Sequence, residues 1–360
     1  MKKIFFISLI IILFSCSDKK SNYPWSELTF DEVLSLKSDK IIFLDFYSDN
    51  WGACKRLEVE TLNDSRVIDF TNQYLIPLKF DAWYDSTGQE LFKKFNGYAI
   101  PLLVFLDGEG EELDRVVGYQ DADDFLLTLN NVLNNQDTFI SLFKKYNQGN
   151  RSVDLIDKLS IKSEERQDNE FSSELYQFVL DRVSEFDTEV YQRAKFYFAK
   201  QALKNDDTSK IKLFISNYNE SNKLGPAYME LIRFYASKKD TLKEVETYKN
   251  MINSFIDSDI ISISRKSSLL NSYAWRMGEL ELNLEDALSK SIKSIQMVDS
   301  LGDKAISSKP MLLDTKAEIL WKMNEIDEAI IIIDKAIEMD PKSQYYKDQK
   351  IKFKNSKKGN

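Results

Sequence analysis

The sequence contains no histidine, and only two of its 360 residues are cysteines. Without histidine there can be no Ser-His or Cys-His catalytic pair, and the usual zinc ligand sets are missing. Acidic residues also outnumber basic ones, 58 to 49, which gives a formal net charge of −9. An acidic chain is poorly matched to nucleic acid or to an anionic lipid surface. We therefore predict no metal, no cofactor and no nucleic-acid partner.

The first sixteen residues have the pattern of an export signal. Lys2 and Lys3 precede a short apolar run over residues 4–14, and Leu13-Phe14-Ser15-Cys16 resembles the lipobox of bacterial lipoproteins. An uncleaved anchor is the alternative, but the run is shorter than the roughly 20 apolar residues that span a bilayer. We predict a signal peptide over residues 1–15, a lipid anchor at Cys16 and a flexible tether over residues 16–25. The mature chain would then lie in the bacterial cell envelope, facing the periplasm or the cell surface.

Residues 26–135 have the pattern of a mixed α/β domain. Short apolar runs bounded by turn residues predict four strands, at residues 41–47, 75–80, 102–106 and 113–117. Helical periodicity predicts helices near residues 30–36, 55–70, 89–95 and 121–133, with a break at residues 63–65. The turn Asp107-Gly108-Glu109-Gly110 is typical of a β-hairpin between the last two strands.

The most informative segment, Trp51-Gly52-Ala53-Cys54, follows the first predicted strand where a helix begins. Dithiol oxidoreductases place a C-x-x-C motif at such a corner, because the helix N-terminus lowers the pKa of the first thiol. Here Trp51 occupies the first position and Cys54 the second. If lipidation consumes Cys16, Cys54 is the sole free thiol and no disulfide can form within the chain. The position of a redox site is kept, but the thiol that starts exchange is absent.

Further positions match a known pattern in order along the chain: Asp45-Phe46-Tyr47, Cys54-Lys55, Glu58, Asp64, Val67, Ile100-Pro101, residues 107–110 and Val117-Gly118-Tyr119. Over residues 26–133 the sequence thereby resembles the thioredoxin superfamily, in particular the thioredoxin-like periplasmic domain of thiol:disulfide interchange proteins. The resemblance implies that Pro101 follows a cis peptide bond beside the active site. It also implies that Asp45 is buried behind the second cysteine, whose deprotonation it assists.

The departure from this family lies at the first active-site cysteine. An ungapped alignment places Trp51 at the nucleophilic cysteine and Asn50 at the usual tryptophan. A shift of one residue restores the tryptophan but deletes the cysteine. In either alignment the attacking thiol is missing.

From residue 136 to the end, helix-period runs replace strand-like alternation. Glu285-Asp286-Ala287 and Asp327-Glu328-Ala329 recur 42 residues apart, and each copy has small residues seven positions apart, at Ala287 and Ser294 and at Ala329 and Ala336. The second copy resembles a tetratricopeptide-type repeat at Ala317, Leu320, Trp321, Ala329, Ala336 and Pro341. We predict an all-α tetratricopeptide-like domain over residues 136–360, with small residues where helices approach closely.

Three residues at the predicted corner have two interpretations each. Cys54 is either a shielded core residue or a single thiol that forms mixed disulfides. Asp45 is either the proton acceptor of a redox site or a buried carboxylate that needs a hydrogen-bond partner, for which Lys79 and Lys55 are the candidates. Trp51 either fills the space around Cys54 or is exposed to a partner.

The predicted function is protein or peptide binding at the cell envelope. The thioredoxin-like domain would act as a docking module and the helical repeats as a scaffold. The alternative is an enzyme, a thiol-disulfide oxidoreductase or isomerase acting through Cys54 alone. Turnover needs two thiols, and the mature chain has only the thiol of Cys54.

Overall fold

The computed structural model describes residues 23–49, 51–184, 188–302 and 308–357. The predicted signal peptide, the lipidation site Cys16 and most of the tether lie outside the described residues. The chain divides into two compact units, Met1–Phe186 and Asp187–Asn360. Within the described ranges, no helix combines the length and the hydrophobicity that crossing a bilayer requires.

The first unit is built on a four-stranded sheet. The strands are β1 (Ile41–Tyr47), β2 (Leu75–Asp81), β3 (Leu102–Leu106) and β4 (Glu112–Val117), in the order β2-β1-β3-β4. β1 pairs parallel with β2 and antiparallel with β3, and β3 pairs antiparallel with β4. All four predicted strands are confirmed to within one residue.

Helices cover both faces of this sheet. They are α1 (Phe30–Ser35), α2 (Gly52–Arg56) with its π-helical continuation Leu57–Leu62, α3 (Ser65–Tyr74), α4 (Ser86–Lys94) and α5 (Ala122–Leu133). Asp64 caps the N-terminus of α3 by accepting from the backbone N–H of Arg66, which explains the predicted break at residues 63–65. Successive β1 residues enter opposite cores, Ile42 on the α1 and α4 side and Phe43 on the α5 side.

Three further helices belong to the first unit, α6 (Phe139–Asn147), α7 (Val153–Glu165) and α8 (Asn169–Arg182). Lys162 on α7 places its Nζ 2.7 Å from the buried carboxylate of Asp114 on β4 and also donates to the backbone carbonyl of Arg115. Arg166 lies 2.7 Å from Glu112. The sequence becomes helical near residue 136, as predicted, but these ion pairs attach α7 to the sheet, and α6 and α8 pack against α7. The two compact units divide at residue 186.

The N-terminal end of the described chain also contacts the sheet. The backbone N–H of Ser26 donates to the carbonyl of Pro77 on β2 at 2.9 Å. The Tyr23 hydroxyl makes a hydrogen bond with Thr71 on α3, and the Tyr23 ring packs against Trp25.

The second unit is helical throughout its described residues. Its helices are α9 (Glu189–Leu203), α10 (Ser209–Asn217), α11 (Leu224–Ser237), α12 (Thr241–Phe255), α13 (Ile263–Leu280), α14 (Leu284–Asp299), α15 (Lys309–Lys322), α16 (Ile326–Met339) and α17 (Gln344–Lys357). Consecutive helices pack against each other, most extensively α13 with α14 and α15 with α16. The helical nature of this region is confirmed, and the tetratricopeptide type of its repeats stays a prediction.

The small residues of the sequence repeat lie where helices meet. Ala287, Ser294, Ala329 and Ala336 are all fully buried. Ser294 on α14 bonds with Ser267 on α13 through both their hydroxyls, which are 2.9 Å apart, and its own hydroxyl donates to the Ser267 carbonyl. A larger side chain at these positions has no room, so the predicted close approach is confirmed.

We expect the substitution Ala329→Glu to destabilise the second unit by at least about 3 kcal/mol, because it buries an unpaired charge among Leu313, Ile333 and Phe353. Ile331→Glu is the matched control, since Ile331 lies on the same helix and is 57% exposed. Its effect should stay within about 0.5 kcal/mol. Urea unfolding monitored by circular dichroism measures both. Equal destabilisation by the two changes would contradict the proposed packing.

Candidate functional site

The candidate site lies where β1 ends and α2 begins. The backbone N–H of Trp51 donates to the carbonyl of Ser48 at 3.1 Å, and that of Cys54 donates to the carbonyl of Trp51 at 3.0 Å. Trp51 is the N-terminal cap residue of α2, and its side chain makes no capping hydrogen bond. The strand-to-helix corner predicted from the sequence is therefore present, with Cys54 in the first turn of the helix.

Trp51 is 54% exposed, so most of its ring faces solvent rather than filling the space around Cys54. Of the two interpretations of this residue, the structure favours an aromatic side chain that is accessible to a partner. Its position is where a redox enzyme would hold its attacking thiol.

Cys54 is 5% exposed and packs in the same core as Phe46, Phe92 and Ile100. Burial raises the pKa of its thiol to about 11, and the hydrogen bond with the Ser48 backbone lowers it only in part. At neutral pH only about one molecule in ten thousand then carries the thiolate. Burial therefore outweighs the helix N-terminus, and the thiol is shielded and protonated.

Asp45 is buried in the middle of the sheet, beside Lys79 on β2 and Leu103 on β3. Its Oδ1 atom has no hydrogen-bond partner among the described residues. Burial raises the pKa of its carboxyl to about 7, the positive charge of Lys79 opposes the shift, and Glu58 adds to it. Its burial is as the family resemblance implies.

The expected partners of Asp45 are occupied elsewhere. Lys79 donates to the Glu58 carboxylate at 2.9 Å, and its Nζ lies 4.0 Å from the centre of the Tyr47 ring. Burial alone would lower the pKa of Lys79, but the Glu58 contact raises it overall. Lys55 is exposed. Neither lysine makes the hydrogen bond with Asp45 that was proposed from the sequence. Lys79 instead donates to Glu58, which projects from the π-helical turn.

The Ile100–Pro101 peptide bond is cis, as the resemblance implied. Pro101 precedes β3 directly, and its carbonyl accepts from the backbone N–H of Gly118 at 2.8 Å. Ile100 belongs to the same buried cluster as Cys54. The loop that carries Pro101 therefore covers the core that holds the cysteine.

Trp51 belongs to a group of exposed aromatic residues at the same edge of the sheet, and sequence reasoning missed its other members. β1 and β2 both end at this edge and the antiparallel β3 starts there, because Phe46 on β1 faces Phe80 and Leu102. Four exposed aromatic residues lie in the loops that leave or enter these strands, and we call them the aromatic edge: Trp51, Trp83, Tyr84 and Tyr98. Their positions directly after the second predicted strand and before Pro101 are the signal that could have revealed them.

Comparison with known proteins identifies a family whose members resemble part of this chain. Residues 31–133 match a family model described as a thioredoxin-like domain. This part of the chain is a thioredoxin-like domain. It is followed by helices, so the coarse architecture predicted from the sequence is confirmed.

Curated relatives match about a quarter of the chain. The thiol:disulfide interchange protein DsbD of Yersinia pestis (strain Pestoides F) is 35% identical over 102 residues, covering 28% of this chain and 17% of that protein. DsbD of Pasteurella multocida (strain Pm70) is 31% identical over 98 residues, covering 26% and 17%. The chain thus spans less than a fifth of the length of these relatives.

Solved structures match about a third of the chain. A putative disulphide-isomerase from Bacteroides thetaiotaomicron is 33% identical, with 32% of this chain and 97% of that chain covered and a TM-score of 0.29. The DsbH oxidoreductase is 23% identical, with 31% and 85% covered and a TM-score of 0.29.

The raised pKa of Asp45 predicts a pH dependence of stability. Below about pH 4 the carboxyl is protonated in both the folded and the unfolded chain, so its ionisation costs no stability. Stability falls as the pH rises from about 4 to about 7, where only the unfolded chain readily loses the proton, and the loss levels off above about 7. Asp45→Asn should therefore stabilise the first unit by about 2–3 kcal/mol more at pH 8 than at pH 5. Asp69→Asn, at an exposed position on α3, is the control. Urea unfolding at both pH values measures the difference, and a pH-independent effect of Asp45→Asn would contradict a buried, neutral carboxyl.

Proposed function

We propose that this chain is a lipid-anchored protein of the bacterial cell envelope that binds a protein or peptide without dithiol-disulfide turnover. The observation that supports the proposal most strongly is the condition of the two residues at the C-x-x-C position, Trp51 and Cys54. Cys54 is buried with its pKa raised to about 11, and an exposed tryptophan replaces the attacking thiol. A redox enzyme needs an accessible thiolate there.

The aromatic edge supports a binding role for the first unit. Its four side chains lie at the end of the sheet where Cys54 and Pro101 also lie, and large aromatic side chains dominate the affinity of protein interfaces. The thioredoxin-like domain would thus keep the substrate-facing edge of a redox fold and use it for docking.

The second unit supplies the larger binding surface in this proposal. Tetratricopeptide-type repeats stack helix pairs, and such stacks leave a continuous groove for a peptide. The packing of α13 with α14 and of α15 with α16, with small residues at the contacts, supports this type of stack.

The rival function is a thiol-disulfide oxidoreductase acting through one cysteine, and similarity to the DsbD proteins favours it. In that reaction the Cys54 thiolate attacks a disulfide of the partner, a mixed disulfide forms, and one partner sulfur leaves as a thiolate. Completion then requires a second thiol from another molecule. The burial of Cys54 opposes the first step.

The two functions differ in what Cys54→Ala does. If binding is non-covalent, the full chain and the Cys54→Ala variant should crosslink to the same proteins in native envelopes, with equal yield on reducing and non-reducing gels. The full chain should also leave insulin unreduced in the presence of a thiol donor. The W51C variant supplies the missing first thiol and serves as the positive comparison for insulin reduction.

Loss of the crosslinked partner in Cys54→Ala, or multiple turnover of insulin by the unaltered chain, would establish the rival function. Absence of any specific crosslinked partner with either chain would contradict the binding function.

Membrane attachment is tested separately at Cys16. Multiple acylation of a lipoprotein cysteine gives stable membrane retention, whereas a single chain gives marginal attachment. The Cys16→Ala variant should incorporate no labelled fatty acid and should keep residues 1–15. Cys54→Ala is the matched control and should be labelled like the unaltered chain. Continued labelling of Cys16→Ala would contradict the lipid-anchor assignment.

A further inference from the structure

The second unit contains a pocket of about 530 Å³ between the faces of α11, α12, α13, α15 and α17. This volume lies within the range of pockets that hold small ligands or single side chains. Large apolar and aromatic side chains form much of its wall: Met229, Tyr248, Trp275, Met311, Tyr345 and Tyr346.

Two buried polar side chains in this wall each have one oxygen atom without a hydrogen-bond partner among the described residues. Asp314 is 4% exposed, and its Oδ2 accepts from the Tyr345 hydroxyl at 3.2 Å, while its Oδ1 has no hydrogen-bond partner among the described residues. Asn271 is 7% exposed, and its Oδ1 also lacks a partner there. Buried acceptors without donors are costly and rare in folded proteins. Two of them in one pocket wall indicate that a ligand supplies the donors.

The charged residues around the pocket indicate the sign of the charge on that ligand. Arg276, the cation among the described lining residues, is held by Glu244 at 2.6 Å and by Glu279 at 3.1 Å. Lys352, on α17, donates to both carboxylate oxygens of Glu318, at 2.7 and 2.9 Å, and its Nζ lies 4.2 Å from the centre of the Trp321 ring. The cations near Asp314 are therefore already paired with other carboxylates.

We propose that this pocket binds the lysine or arginine side chain of a partner peptide, with the Asp314 carboxylate and the Asn271 carbonyl as acceptors. This assignment rests on the proposed peptide-binding function and names the chemistry of the peptide. The aromatic faces of Trp275 and Tyr345 suit a cation above them and an aliphatic stem beside them.

A larger cavity of about 610 Å³ lies between α10, α11 and α12, and it is less suited to this role. Its lysines, Lys212 and Lys243, lie 5.8 and 5.5 Å from the Tyr235 ring, and Lys243 is also paired with Asp240. None of its described lining residues carries a buried polar atom without a partner. It therefore lacks the unpartnered hydrogen-bond acceptors on which the assignment of a ligand to the smaller pocket is based.

The protonation of Asp314 makes cation binding depend on pH, which gives a second measurable property of the pocket. Burial raises the pKa of its carboxyl to about 7, the Tyr345 hydrogen bond and Lys352 oppose the shift, and Glu318 adds to it. Arg276 and Glu279 on α13 also face the pocket. A bound cation favours the ionised carboxylate, so binding releases a proton below pH 7 and weakens as the pH falls.

The test uses the full chain in detergent and acetylated, amidated heptapeptides of sequence Gly-Ser-Leu-Xaa-Leu-Ser-Gly, titrated by calorimetry at pH 8. The central residue is lysine, arginine, glutamine or glutamate. A charge-assisted hydrogen bond predicts that the lysine or the arginine peptide binds about tenfold or more tightly than the glutamine peptide. The preference should shrink at pH 5.5.

The variant Asp314→Asn keeps the acceptor for Tyr345 and removes the charge, so it should abolish the preference for the basic peptide and leave the glutamine peptide unchanged. Asp334→Asn is the matched control, because Asp334 pairs with Lys350 away from the pocket. Melting temperatures of both variants verify that they are folded.

Equal binding of the lysine, arginine and glutamine peptides, preference for the glutamate peptide, or no binding in the millimolar range would each overturn the assignment. Binding of phosphatidylethanolamine vesicles but of neither basic peptide would also overturn it, in favour of a lipid headgroup. Crosslinking of Asp314→Asn in native envelopes separates this failure from that of the proposed function. If the partner is retained while the peptide preference is absent, only the pocket assignment falls.

Discussion

Burial of β1 on both faces is the constraint on which the candidate site depends. This strand lies between β2 and β3, so its side chains enter two cores in alternation and its backbone is fully paired. Strict alternation forces Asp45 into the interior together with Phe43, whatever its charge costs. The same strand delivers the chain to the corner at Trp51, where α2 starts.

Burial also decides the chemistry of this corner. A thiol in the first turn of a helix is normally activated, yet Cys54 is protonated at neutral pH because its apolar surroundings outweigh the helix. The carboxyl of Asp45 responds to the same environment, which raises its pKa to about 7. The thiol is thus in its less reactive form, and the exposed group at this edge is an aromatic ring.

The sequence predicted what depends on local pattern. The strands at residues 41–47 and 102–106 are continuous apolar runs, and the break before α3 is marked by Asp64, a good capping residue. The cis bond before Pro101 and the burial of Asp45 followed from resemblance to a family. These features need only neighbouring residues or a matching motif.

Contacts between residues that are far apart in the sequence could not be predicted from local pattern. Lys79 lies beside Asp45, but the hydrogen bond expected between them is absent because the π-helical turn brings Glu58 to the lysine. The assignment of α6, α7 and α8 to the first unit depends on packing between distant residues, which includes the ion pair between Lys162 and Asp114. The unmet acceptors of Asp314 and Asn271 become visible only when α13, α15 and α17 are placed around one pocket.

The helices packed on β4 and the N-terminal segment beside β2 have a consequence for association. An uncovered strand at the margin of a sheet is a template for another chain, which adds its own strand and leads to aggregation. Here Lys162 takes a carbonyl of β4, Ser26 donates to one on β2, and Pro77 has no N–H to offer. These contacts at both margins of the sheet oppose main-chain pairing with a strand of another chain.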